Sequence, residues 1–229
     1  MFVNSQLLSN NMNCIIAPIN EVGGIYLGNI DAALNPDNLI KYQIGAVLSV
    51  IDHSLSIKGV QKLWIMAEDS HDFPLHKYYD QSIKFIDIQA LRTNVLIHCC
   101  DGISLSVAVC AAYMMQKYSL NLSQTLHHIK QRRKLISPNP GFIQQLKDYE
   151  QRINQKIRRK NSTRNNIETN NYTRRGSVGY EQNSRNSNNI QSSIINSIVN
   201  DTNQKDKLRE FSFKLNNYLH QWKIRERAH

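Results

Sequence analysis

The stretch VLIHCCDGISLSVAV, residues 95–109, decides the fold. An apolar run over residues 94–98 enters a polar turn with two cysteines and a glycine, and a second apolar run starts at Val107. A strand that passes through a short loop directly into a helix can bind anions, because loop N–H groups and the helix N-terminus both face the ligand. The stretch therefore predicts a central strand, an anion-binding loop and a helix.

Similar elements extend to both sides of this stretch. Further strands are predicted at residues 25–28, 45–51 and 62–66. Helices are predicted from Pro36, over residues 75–86 and 107–118, after an N-terminal cap at Ser123, and from Phe142. Strands that alternate with helices predict an α/β fold with a central, mostly parallel sheet flanked by helices.

The 229 residues divide into three segments by composition. Residues 20–153 have the mixed pattern of one well-buried domain. Residues 154–203 are predicted to be a basic, Asn-rich disordered linker, because they contain too little apolar surface to offset the entropy of ordering. Residues 204–229 predict a basic amphipathic helix, with apolar residues at steps of three or four from Leu208 to Trp222.

Three interpretations of the segment 204–229 stay open. The helix could dock on the domain, bind a groove of a partner or of a second copy, or lie on a membrane surface. In the preceding linker, Arg174-Arg175-Gly176-Ser177 fits a basophilic kinase site. Phosphorylation of Ser177 would lower the local positive charge and change how the basic tail binds.

Charge and composition restrict the function classes. The formal net charge is +10, and residues 151–175 hold eight Lys or Arg against one acid. A solvated basic tail is the favoured interpretation, and attraction to phosphorylated partners, acidic lipid or nucleic acid is the alternative, with nucleic acid the weakest of these. No nucleic-acid motif, membrane span, secretory signal, zinc-type cysteine pair or cofactor motif is visible. We therefore expect no nucleic acid, metal or cofactor, four reduced cysteines, and a cytoplasmic or nuclear location.

The loop residues themselves suggest nucleophilic chemistry. A thiol at Cys99, between a strand and a helix N-terminus, is stabilised as a thiolate by the same groups that bind an anion. Gly102 suits a backbone position that other residues adopt poorly, and Ser106 can hydrogen bond to the sulfur. His98 is predicted to be a buried histidine that orders the loop.

These residues resemble the dual-specificity subgroup of the cysteine-dependent protein tyrosine phosphatases. The family motif is His-Cys-x-x-Gly-x-x-Arg-Ser, and residues 98–106 read HCCDGISLS. Further segments are similar to the family's entry strand (residues 24–28), its general-acid loop (67–70) and its Pro-Asn-x-Gly-Phe segment (137–142). The resemblance covers residues 20–153.

The resemblance implies a role for each loop residue. Cys99 would be the nucleophile, Asp69 the general acid and Ser106 the group that helps to expel the thiolate. The phosphate-binding loop would comprise His98, Cys100, Asp101, Gly102, Ile103, Ser104 and Leu105.

Leu105 departs from the motif, because the family has arginine there. A guanidinium binds two phosphoryl oxygens and opposes the charge that spreads in the transition state, whereas leucine has neither a donor nor a charge. Comparable arginines contribute roughly 1,000- to 100,000-fold in rate, or about 4 to 7 kcal/mol. Arg92, Arg132 and Arg133 are the nearest substitutes along the chain, although a solvated helix face is the favoured interpretation of Arg132 and Arg133.

Two hypotheses for the function follow. The first is a pseudophosphatase with low or no activity, which scaffolds or competes for a phosphoprotein or a kinase. The second is a weakly active phosphatase that hydrolyses phosphotyrosine, phosphoserine or phosphothreonine through a phosphocysteine. Leu105 favours the first hypothesis, whereas Cys99 and Asp69 favour the second.

Overall fold

The computed structural model describes residues 11–19 and 22–174. Its centre is a five-stranded sheet in the order β1-β2-β5-β3-β4. The strands are β1 Met12–Ile16, β2 Ile25–Gly28, β3 Ile44–Ile51, β4 Gln61–Met66 and β5 Asn94–His98. Strands β2, β5, β3 and β4 pair in parallel, and only β1 is antiparallel. The predicted α/β fold with a mostly parallel sheet is confirmed.

Helices follow strands β2, β4 and β5, whereas β3 leads to β4 without a helix. The helices are α1 Ile30–Leu34, α2 Pro36–Lys41, α3 Tyr79–Ala90, α4 Leu105–Tyr118, α5 Leu122–Arg132 and α6 Pro140–Arg174, and a 3-10 turn Leu75–Tyr78 precedes α3. Strand β5 is buried along its whole length, and twelve residues of α4 are buried. This burial explains the nearly uniform apolar composition of both elements.

One helix begins at a different cap from the one predicted. The side chain of Asn121, not that of Ser123, accepts the N–H of Gln124, and the Gln124 side chain accepts the N–H of Asn121. This reciprocal capping box satisfies two donors at the helix start, which a single serine two residues later could not do.

The sheet begins earlier in the chain than residue 20. Strand β1 pairs with β2 in the register Met12 to Gly28, and its residue Ile15 is fully buried. The strand was not predicted, because its apolar run is short and stands beside polar residues and Pro18.

Helix α6 continues into the segment predicted to be a disordered linker. Residues 154–174 are helical in the structure, where the sequence predicted a linker. No glycine or proline interrupts residues 142–175, and the many Gln, Lys, Arg and Glu residues have good helix propensity. Ser177, the rest of the linker and the segment 204–229 lie outside the described residues.

Contacts divide the chain into two units, Met1–Gln151 and Arg152–His229. The first unit contains the sheet, its core and the whole of the site described below. Within the described residues, no helix is long and apolar enough to cross a membrane.

Candidate active site

The cysteine loop connects the carboxyl end of β5 to the first turn of α4. It forms one wall of a cavity of about 460 Å³, and the ends of β3 and β4 and the segment before α6 form the others. This is the edge at which parallel sheets commonly place their ligands. The lining residues are Val50, Ile51, Asp52, Ala67, Glu68, Asp69, Cys99, Cys100, Asp101, Ile103, Ser104, Leu105, Ser137 and Asn139.

The loop backbone is held by hydrogen bonds to its carbonyl oxygens. Six consecutive carbonyls, from Cys99 to Ser104, accept in turn from His98 Nδ1, Ile30 N, Arg133 Nη2, Arg133 Nε, Ser137 N and Ala108 N, at 2.7–3.2 Å. Since all peptide bonds here are trans, each following N–H points the opposite way, away from these partners. The N–H groups of residues 100–105 thus face away from these partners and can together form an anion-binding nest.

Cys99 lies at the base of this nest. Its side chain is almost completely buried, and its Sγ is 3.2 Å from the Ser106 Oγ. Ser106 is fully buried in the first turn of α4, so its hydroxyl is held beside the sulfur. A hydroxyl in this position can donate to a thiolate, which is the relation that the motif predicted.

Asp69 follows β4 and lines the cavity beside the cysteine loop. Its Oδ1 accepts from Ser104 Oγ at 2.9 Å and from Asn139 Nδ2 at 2.6 Å. Ser104 Oγ in turn accepts from the Asn139 backbone N–H at 3.0 Å. This network fixes the carboxyl group against the loop, so the structure brings Asp69 and Cys99 to one cavity.

His98 orders the loop from inside the sheet. It is fully buried, its Nδ1 donates to the Cys99 carbonyl, and its Nε2 accepts from Ser49 Oγ at 2.7 Å. Burial lowers the pKa of His98 from 6.5 to about 4, with a small opposing effect of the bond to Cys99. The folded protein therefore favours the neutral form of the His98 ring.

Acid should destabilise the fold through His98. The unfolded chain takes up a proton near pH 6.5, whereas the folded protein resists protonation down to about pH 4. The free energy of unfolding should thus fall by about 3 kcal/mol as the pH drops through this window, and it should be constant above it. Urea unfolding at several pH values would measure the slope. His98→Gln should remove this pH dependence of the free energy of unfolding, and His127→Gln on the surface of α5 should leave it unchanged. If the same pH dependence remains in His98→Gln, its cause is not His98.

Gly102 adopts the left-handed backbone conformation, with φ +67. A Cβ at this position would lie 2.4 Å from the Gly28 carbonyl oxygen and 2.6 Å from Arg133 Nη2. Both the backbone angle and the space therefore require glycine.

Leu105 is the first residue of α4 and lines the cavity with 5% of its surface exposed. Four carboxylates, those of Asp52, Glu68, Asp69 and Asp101, line the same cavity. Among the described residues that line it, there is no lysine or arginine. The cavity thus combines N–H donors for an anion with a negative electrostatic field.

The three arginines considered as substitutes have different positions. Arg92 is exposed after α3, and Arg132 donates to Nδ1 and to the carbonyl of His128. Arg133 is 5% exposed and contacts the loop, so its interpretation as part of a solvated helix face is wrong. Its guanidinium contacts carbonyl oxygens, however, and does not line the cavity.

The remaining cysteines have higher pKa values than Cys residues in water. Burial raises the pKa of Cys110 to about 12 and also raises that of Cys14. The pKa of Cys100 is raised by burial and by the charges of Asp52, Cys99 and Asp101. None of the three is disposed to form a thiolate at neutral pH.

Several residues of this site were not singled out in the sequence. Asp52 follows the carboxyl end of β3, so the common edge of parallel strands could have indicated it. Asn139 lies within the Pro-Asn-x-Gly-Phe segment, which pointed to its region but not to its contact with Asp69. Asn13 and Ser49 have no sequence signal, since only the folded sheet brings them near Arg133 and His98.

Comparison with known proteins agrees with this geometry. The family described as "Dual specificity phosphatase, catalytic domain" matches residues 25–152. Dual specificity protein phosphatase 1 of Arabidopsis thaliana is 37% identical over 131 residues, which are 56% of this chain and 66% of that protein. Dual specificity protein phosphatase 5 of Homo sapiens is 34% identical over 139 residues, 59% of this chain and 36% of that protein. The chain thus spans less than two thirds of either relative.

A solved structure supports the same assignment. The crystal structure of DUSP15 has 30% sequence identity and a TM-score of 0.56, and the match covers 64% of this chain and 95% of that one. The matched residues 25–152 exceed half of the chain and contain the cysteine loop, Asp69 and the segment before α6. With its sheet, its loop and its sequence all in agreement, the chain belongs to the dual specificity phosphatase family of the cysteine-dependent protein tyrosine phosphatases.

Proposed function

We propose that this domain is a pseudophosphatase: it binds phosphoproteins or kinases and turns over phosphoryl groups slowly or not at all. The observation that carries the proposal is the lining of the cavity. Leu105 stands where the family has its arginine, and four carboxylates surround the cavity without a described lysine or arginine among its lining residues. No cationic side chain among the described lining residues can therefore oppose the charge that develops on a phosphoryl group during transfer.

Binding rests on the part of the site that is intact. The N–H groups of residues 100–105 can donate to phosphoryl oxygens, but they are neutral donors, each of which contributes only about 0.5–1.5 kcal/mol net. We expect a phosphoryl group alone to bind in roughly the millimolar range. Contacts elsewhere on the partner protein would then supply the rest of the affinity.

A weakly active phosphatase is the second candidate, favoured by the placement of Cys99, Ser106 and Asp69 around one cavity. The Cys99 sulfur would attack phosphorus while the ester P–O bond breaks, and Asp69 would donate its proton to the leaving oxygen. Water would then hydrolyse the phosphocysteine, releasing phosphate and the thiolate, to which Ser106 donates a hydrogen bond.

An activity comparison separates the two candidates. We expect the wild-type protein to hydrolyse an aryl phosphate at most about a thousandth as fast as a family member that keeps the loop arginine. The Cys99→Ser variant gives the background rate in the same assay. A wild-type rate equal to that of the arginine-containing relative, and abolished in Cys99→Ser, would refute the pseudophosphatase.

Peptide binding tests the other half of the proposal. Phosphotyrosine and phosphothreonine peptides, each paired with its unphosphorylated form, should be titrated into the wild-type protein. Preferential binding of a phosphorylated form, competed by inorganic phosphate, is the expected result. Equal affinity for both members of every pair would show that the loop contributes nothing to recognition.

A further inference from the structure

Arg133 occupies an unusual position for an arginine outside the motif. It follows the last turn of α5 and is buried, and its guanidinium contacts the cysteine loop without lining the cavity. Its Nε donates to the Gly102 carbonyl at 2.7 Å, and its Nη2 donates to the Asp101 carbonyl at 3.1 Å. Its Nη1 donates to Asn13 Oδ1 in β1 at 2.8 Å, so the guanidinium is held both by the loop and by β1.

These two bonds set the orientation of two adjacent peptide groups. The carbonyl of Asp101 belongs to the same plane as the N–H of Gly102, and the carbonyl of Gly102 belongs to the same plane as the N–H of Ile103. Because the carbonyls are turned toward Arg133, both N–H groups are turned away from it, into the nest. Gly102 is the most mobile type of residue, so these planes need an external partner to hold them.

The charge of Arg133 matters as well as its geometry. Burial lowers the pKa of its guanidinium, and the neighbouring Cys99 opposes this effect. An arginine remains protonated in proteins, so a full positive charge lies directly behind the loop. Charge-assisted hydrogen bonds to the two carbonyls also polarise their peptide groups and make the opposite N–H groups better donors.

We propose that Arg133 is a positioning residue of the anion site: it holds the N–H groups of Gly102 and Ile103 toward the ligand and provides a positive charge behind a loop that has Leu105 in its interior. The inference rests on the proposed function, because it assumes that the loop receives a phosphoryl group. It assigns to Arg133 an indirect action, through the peptide groups, and no contact with the ligand.

The test uses Arg133→Gln, Arg133→Lys and a matched control, Arg132→Gln, in the full chain, with inorganic phosphate as the probe. Backbone amide shifts of Gly102 and Ile103 follow the titration, and thermal unfolding without phosphate reports stability separately. We expect Arg133→Gln to weaken phosphate binding at least about tenfold, since two charge-assisted bonds are lost. Arg133→Lys should weaken phosphate binding less, because lysine keeps the positive charge but cannot make the paired hydrogen bonds of the guanidinium. Arg132→Gln should change phosphate binding by less than about twofold.

The same variants in a Leu105→Arg background make the test independent of how weakly the wild-type protein binds. If the wild-type protein does not bind phosphate but Leu105→Arg does, the proposed function fails, and the Arg133 variants are compared in the second background. Equal phosphate affinity in Arg133→Gln and its parent, with the Gly102 and Ile103 shifts unchanged, would overturn the role of Arg133. Absence of phosphate binding in both backgrounds would overturn both proposals. Should Arg133→Gln fail to fold, Arg133→Lys decides.

Discussion

Replacing Leu105 by arginine should increase the rate of aryl phosphate hydrolysis by about 1,000-fold or more. The substitution places a planar cation at the first position of α4, inside the cavity that already contains Cys99 and the nest of N–H groups. Arginines that act on a transferring phosphoryl group contribute roughly 1,000- to 100,000-fold in rate, and the four carboxylates of the lining reduce this effect. Initial rates on an aryl phosphate, wild type against Leu105→Arg, measure the gain.

Three controls make the result specific. Leu105→Lys adds charge without the bidentate fork and should recover much less activity. Cys99→Ser in the Leu105→Arg protein should remove the gain entirely, because the gain requires the thiol as nucleophile. Asp69→Asn in the same protein should slow the hydrolysis of a phosphothreonine peptide more than that of an aryl phosphate. The threonine alkoxide is the poorer leaving group, so it depends more on the proton that Asp69 donates. No gain from Leu105→Arg would mean that the site lacks more than its cation.

Replacing Gly102 by alanine should lower the free energy of unfolding by about 3 kcal/mol and abolish phosphate binding. Alanine is strained at the left-handed backbone angle of this position, φ +67. Its Cβ would also lie 2.4 Å from the Gly28 carbonyl oxygen and 2.6 Å from Arg133 Nη2, which is closer than Cβ atoms approach other atoms. Relief of these contacts requires the loop to move, and this displaces the N–H groups that the loop gathers. Urea unfolding and a phosphate titration measure the two effects.

Gly59 provides a matched control for this substitution. It also has a positive φ, of +77, but a Cβ there would meet nothing within 4 Å. Gly59→Ala should therefore lower the free energy of unfolding by only about 1 kcal/mol, which is the effect of the backbone angle alone. It should leave phosphate binding unchanged. If the two glycine variants are equally stable, the close contacts at Gly102 have no energetic weight.

The sequence predicted strands β2, β3 and β5 because they are buried over nearly their whole length and are almost continuous apolar runs. Strand β4 lies at the edge of the sheet and is largely exposed, and it was predicted from its apolar residues 63–66. Strand β1 was missed because an edge strand next to polar residues has no such pattern. The helical extension of α6 to Arg174 was missed because composition was given more weight than the absence of glycine and proline.

For the site, the sequence predicted those residues that the motif fixes by spacing. Cys99, Ser106 and Gly102 are neighbours along the chain, so their local arrangement follows from one strand, one loop and one helix. Arg133 was considered only as a substitute for the missing cation, and its contact with the outer side of the loop could not be predicted. The contact joins residues 31 and 32 positions apart, and the bond that holds Arg133 to Asn13 of β1 spans 120 positions. No short-range pattern in the sequence records hydrogen bonds over such separations.

The six carbonyl contacts of the loop have a consequence for how this site can change. Their donors come from Ile30, Arg133, Ser137 and α4, as well as from His98, so the backbone conformation of the loop is encoded across the whole domain. The cation that the family places in the loop depends on a single residue, Leu105 in this protein. We therefore expect substitutions at residue 105 to change the catalytic rate while the loop backbone, and with it the geometry of anion binding, is kept.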